Sequence, residues 1–77
     1  MNKQRRKALN DAIEKLTELK EIIDSIREEE QDAYDNLPES LQDSEKGEQM
    51  YDNCDDLETA ASDLEDVIDN LEDIAER

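Results

Sequence analysis

The chain has no histidine, tryptophan or phenylalanine, and only one cysteine, one glycine and one proline. Without histidine, His-based acid–base catalysis and His-ligated metal centres are excluded. A single thiol, Cys54, allows neither an intramolecular disulfide framework nor a cysteine metal cluster. Gly47 and Pro38 alone cannot supply a glycine-rich phosphate loop, a collagen-like repeat or the many turns of a β architecture. No apolar run reaches the length of a signal-peptide core or a membrane span. Basic residues are also scarce: 9 Lys and Arg stand against 25 Asp and Glu, a net charge of −16 over 77 residues. The expectation is one small, acidic, helical domain working in a cytoplasmic setting, with no enzyme activity, no cofactor and no membrane partner.

Only 15 of 77 residues are Leu, Ile or Val, a proportion that with this charge reads as disorder. Periodicity argues the other way. Apolar side chains recur at Leu9, Ala12, Leu16, Leu19, Ile23, Ile26, Ala33 and Leu37, a three-and-four spacing with Leu9 at heptad position a and Ala12 at d. The pattern returns at Met50, Cys54, Leu57, Ala61, Leu64, Ile68, Leu71 and Ala75, with Cys54 at a. The outward positions b, c and f carry no apolar residue in either segment. A disordered acidic chain does not sort its residues in this way, so two long amphipathic helices are predicted.

Pro38 has no amide hydrogen and disfavours helical geometry at Leu37, while Asp43 and Ser44 suit the N-cap of a new helix. The fold class predicted is therefore all-α: an antiparallel two-helix hairpin over residues 1–77, coiled-coil-like, with helices at about 4–36 and 44–76 and a loop at 37–43. Leu41 is expected to plug the end of the core. A loop centred near Ser40 sets Leu16 opposite Leu64, Leu19 opposite Ala61, Ile23 opposite Leu57 and Ile26 opposite Cys54, with a slip of one heptad as the main competing register. The e positions then oppose Arg6, Lys20 and Arg27 to Glu58, Glu65 and Glu72. The g positions are apolar instead: Ala8 and Ile22 on the first helix, Ala60, Val67 and Ile74 on the second. An apolar flank on so small a chain predicts self-association through Ile22, Ala60, Val67 and Ile74, most simply as a homodimeric four-helix bundle.

Chemistry-bearing patterns are few. Glu28-Glu29-Glu30-Gln31-Asp32 has the E-E-x-x-D form of the magnesium-binding carboxylates in all-α nucleotide pyrophosphohydrolases, where Asp52, Asp55 or Asp56 could complete the ligand set. With 25 acids in the chain such a match arises by chance, and residues to hold a base or phosphate are lacking, so metal-dependent hydrolysis is a remote alternative and no metal ligands are assigned. Cys54 at an a position reads as a buried structural thiol. Tyr34 and Tyr51, both at e near the loop, read as a stacked pair or as an anchor for a partner.

Charge distribution is the most informative feature. Residues 1–20 hold six basic and three acidic side chains, and residues 21–77 hold three basic and twenty-two acidic ones. The Lys3, Arg5, Arg6 and Lys7 cluster is expected to neutralise Asp69, Glu72, Asp73 and Glu76 across the hairpin. The second helix stacks like charges at i, i+3 and i+4, each pair costing about 0.2–0.5 kcal/mol, and Asp is a poor helix former. Stability alone does not explain that excess. Asp52, Asp55, Asp56, Asp63, Asp66, Asp69 and Asp73 lie at b, c and f, free of core duties, and form the candidate partner-binding face.

The opening Met1-Asn2-Lys3-Gln4-Arg5-Arg6-Lys7, the central run from Asn36-Leu37-Pro38 through Glu48-Gln49-Met50, and the acidic heptads after it resemble a group of small acidic, uncharacterised proteins of bacteriophages and mobile elements of Gram-positive bacteria. The resemblance implies a bacterial cytoplasmic setting and an accessory role, and it carries over no functional residues. The function expected is a non-enzymatic protein-binding module whose acidic face imitates nucleic acid and blocks a basic host or phage protein. At −16 the chain itself repels nucleic acid. The alternative is a structural or assembly helper that offers its apolar flank to a partner helix.

Overall fold

The computed structural model describes all 77 residues and is entirely helical: α1 spans Lys3–Asp35, α2 is one turn at Glu39–Gln42, and α3 spans Glu45–Ala75. Each long helix starts on a side-chain cap. Asn2 Oδ1 accepts from the amide of Arg5 at 2.8 Å, and Ser44 Oγ accepts from the amide of Gly47 at 3.2 Å. Those bonds satisfy amides that have no partner within a first helical turn. Glu45 and Glu48 add favourable charge at the positive end of α3. Pro38 separates α1 from α2 and provides the N-cap of the short turn.

The two long helices pack antiparallel into a rod measuring 59 × 15 × 13 Å. Three side-chain pairs fix the register. Lys20 Nζ lies 3.5 Å from Glu65, Asn53 Nδ2 donates to Glu30 Oε2 at 2.9 Å, and the rings of Tyr34 and Tyr51 meet edge to face at 5.9 Å between centroids. The expected register set Lys20 opposite residue 60; the observed one slides α3 by about half a heptad and centres the turn near Gln42. The cause is the geometry of the connection. Helix α2 returns the chain so closely over the start of α3 that a Cβ on Gly47 would overlap the carbonyl oxygen of Gln42. Gln42 Nε2 then donates to the carbonyls of Tyr34 at 3.3 Å and Leu37 at 3.4 Å, closing the end of α1. Leu41 is exposed and plugs nothing; Leu37, half-buried, takes that place.

A second correction concerns the rotation of α1. On α3 the seam is the expected a/d stripe, with Gly47, Cys54, Ala61 and Ile68 buried and Met50, Leu57, Leu64 and Leu71 half-buried. On α1 the half-buried positions are Arg6, Leu9, Ile13, Leu16, Lys20, Ile23, Arg27, Glu30 and Tyr34, an a/e stripe, with Asp24 and Gln31 at b beside it. The expected d residues, Ala12, Leu19, Ile26 and Ala33, face solvent. Turning α1 toward e brings Ile13 into the seam and holds the cations Lys20 and Arg27 against an acidic α3. The stems of long basic side chains cover apolar surface while their heads stay wet.

Candidate functional site

The e flank forms as a charged seal. Lys20 Nζ donates to Asp24 Oδ2 at 3.1 Å within α1 and reaches Glu65 across the interface, and Arg27 lines a shallow groove with Glu58. The hydrogen bond to Asp24 raises the pKa of Lys20 above its ordinary value, with Glu65 adding to the effect. Arg6 behaves differently: its Nε is buried without a hydrogen-bond partner. Nor do Lys3, Arg5, Arg6 and Lys7 pair with Asp69, Glu72, Asp73 or Glu76 as expected. Lys7 bonds Asp11 on its own helix at 2.9 Å, and the cluster makes no ion pair with α3. The register shift is the reason, because it carries the first turns of α1 to the very end of α3.

On the other side of the hairpin the surface is apolar. The Glu30–Asn53 bond joins position a of α1 to position g of α3, so the d and g positions of α1 share a face with the g positions of α3. That face gathers Leu19 at 51% exposed, Ile22 at 55%, Ile26 at 48% and Val67 at 46%. Ala60 is exposed beside them, and Ile74 is half-buried at the end. The residues named for self-association therefore lie together, joined by the d stripe that α1 leaves outside. Only four of 77 residues are buried in the whole chain, and none of their side chains is fully enclosed.

The third surface is the outer face of α3. Asp52, Asp55, Asp56, Asp63, Asp66, Asp69 and Asp73 are all exposed, as are the other five acids of the helix. The seven aspartates of this face fall within the 22 residues from Asp52 to Asp73, one per about 5 Å of helix axis at ~1.5 Å rise per residue. At the loop end this face runs into a groove lined by Tyr34, Tyr51, Gln42, Asp43, Glu48 and Asp52. Sequence reasoning paired the tyrosines but missed the groove, because Gln42 and Asp43 come alongside them only through the fold of α2.

Cys54 is buried beneath the seam, and burial pushes its thiol up from the ordinary value, with Glu30 and Asp35 adding to the rise and Arg27 opposing it. Raised in this way, the thiol is a poor nucleophile. No three acidic or thiol side chains converge into a group that could hold a metal ion. In the E-E-x-x-D stretch, Glu28, Glu29 and Asp32 are exposed on α1, and the intervening Glu30 is engaged by Asn53. No helix is long and apolar enough to cross a membrane. No protein-family model matches the chain, and no curated protein or solved structure matches it either.

Proposed function

We propose that the chain is a non-enzymatic, acidic protein-binding module of the phage and mobile-element kind that it resembles, which occupies a basic surface built to hold nucleic acid. The observation that carries this reading is the row of exposed carboxylates along α3. Their spacing of about 5 Å along the axis is of the same order as the ~3.4 Å per phosphate of one DNA strand. They are mounted on a straight rod 59 Å long, so a cleft shaped for a duplex meets charge of the right sign, density and reach. The tyrosine groove completes the face. A Lys or Arg side chain entering it would meet the rings of Tyr34 and Tyr51 among Asp43, Glu48 and Asp52. The setting implied is the bacterial cytoplasm, and the partner is a protein rather than nucleic acid or lipid.

A second reading rests on the exposed Leu19, Ile22, Ile26 and Val67, which suit an assembly role in which the apolar face docks on a helix. In the first reading the same face serves self-association, giving a homodimeric four-helix bundle with the acidic faces outward.

Affinity capture tests the proposal. Wild type and an Asp52, Asp55, Asp63 and Asp66→Asn variant are used as baits in a bacterial lysate, with elution by duplex DNA. The reading predicts basic nucleic-acid-binding proteins that wild type retains, that duplex DNA releases and that the variant fails to hold. Equal capture by both baits, unaffected by duplex DNA, would contradict it.

A further inference from the structure

Resting on the self-association just proposed, we infer that two copies pair head to tail through α1, about a twofold axis that crosses the helix at Ile22. The occupant of the apolar face is a second copy because the stripe on α1 is complementary to itself. Its d positions read Arg5, Ala12, Leu19, Ile26 and Ala33, and its g positions read Ala8, Lys15, Ile22 and Glu29. In an antiparallel pairing centred at Ile22, Leu19 meets Ile26 of the second copy and Ala12 meets Ala33. Ile22 meets its own equivalent. Between Ala8 and Ala33 the only charges in the stripe are Lys15 and Glu29, of opposite sign and each seven residues from Ile22. The dyad sets them against each other twice.

Two further observations point to the same geometry. From Lys3 to Leu19, α1 carries five basic and three acidic side chains; from Lys20 to Asp35 it carries two basic and seven acidic ones. Head-to-tail pairing joins unlike halves. It also brings Arg5, at the end of the d stripe and without a counterion on α3, to the acidic end of the second copy's α1. Stacking α1 on α3 of the second copy instead would leave Glu29 against a helix that carries twelve acids and one basic residue, Lys46, with no countercharge along the g stripe of Ala60, Val67 and Ile74. An isologous contact of this kind also closes on itself and stops at two.

Charge reversal on the intact chain tests the inference. Lys15 and Glu29 are exposed and lie about 21 Å apart along one helix, too far to couple within a chain. By sedimentation equilibrium, wild type should show twice the chain mass of 8.9 kDa. Lys15→Glu and Glu29→Lys should each weaken the dimer about 3- to 10-fold, since each change sets like charges together at two symmetric places. The double reversal should restore wild-type affinity. In a Cys54→Ala background, Ile22→Cys should form an intermolecular disulfide on oxidation, and Lys15→Cys should not. A wild-type monomer at high micromolar concentration would overturn both the self-association and its geometry. A dimer whose two reversals merely add, or whose Cys at 22 does not cross-link, would overturn the head-to-tail geometry and leave self-association standing.

Discussion

Gly47 is the residue on which the turn depends. Glycine inside a helix ordinarily loses about 1 kcal/mol against alanine, so Gly47→Ala would stabilise an unconstrained helix. Here the added methyl would overlap the carbonyls of Leu41 and Gln42, which are backbone and cannot rotate away. The expected result is net destabilisation by about 1–3 kcal/mol in urea unfolding, as for other overpacked sites. Gly47 belongs to the same a stripe as Cys54 and Ala61, so its burial follows from the heptad. The close approach of α2 does not, because it is set by backbone that carries no pattern in side chains.

Cys54 and Lys20 give the chain an alkaline dependence of definite sign. Both have folded pKa values above their ordinary 9.0 and 10.5. A group that holds its proton more tightly when folded supports the fold fully below its unfolded pKa and loses that support as pH rises through the folded one. Thermal stability should therefore decline from about pH 9 upward, first through Cys54 and then through Lys20. Cys54→Ala should flatten the first part of that decline. Melting curves between pH 8 and 11 check it, and a wild-type and variant pair with the same alkaline profile would show that Cys54 does not contribute.

The elements show where the heptad is informative and where it is ambiguous. On α3, small and aliphatic residues fill a and d while e reads Glu58, Glu65 and Glu72 after Tyr51, so only one stripe can enter a core, and the predicted stripe is the one found. On α1, position a is flanked by two candidates. Ala12, Leu19, Ile26 and Ala33 are the more apolar, whereas Ile13, Lys20, Arg27 and Tyr34 are the better match to an acidic neighbour bearing Tyr51. Hydrophobicity alone favours d; the partner helix decides for e. The N-cap at Ser44 was legible from residue type, and the half-heptad slide was not, since it depends on how α2 is folded into the loop.

The acid row on α3 has a predicted cost. Asp52, Asp55, Asp63 and Asp66→Asn removes six repulsive pairs at i, i+3 and i+4, worth roughly 0.2–0.5 kcal/mol each, so the variant should be more stable by about 1–3 kcal/mol. Unfolding followed by circular dichroism checks this. It also establishes that lost partner binding in the variant would not be lost folding.

For the molecule as a whole, the three surfaces respond to salt in different senses. Added salt screens a chain of net charge −16, so melting temperature should rise between about 0.05 and 0.5 M NaCl, and self-association should tighten as two acidic copies repel less. Binding of a basic partner by the acidic face should weaken over the same range. The split follows from layout: a charged seal on one flank, an apolar stripe on the other, and carboxylates on the back of α3. Sequence patterning revealed all three, while the rotation of α1 showed how much wider the apolar stripe is than its g positions alone.

The most direct measurement is a titration of the captured basic partner with wild type and with the four-Asn variant at two salt concentrations. If the carboxylates of α3 stand in for phosphates, wild type binds more tightly at low salt and loses affinity steeply at high salt, while the variant binds weakly with a shallow dependence. Equal affinities for the two proteins at both salt concentrations would contradict the account and leave the apolar face as the functional surface.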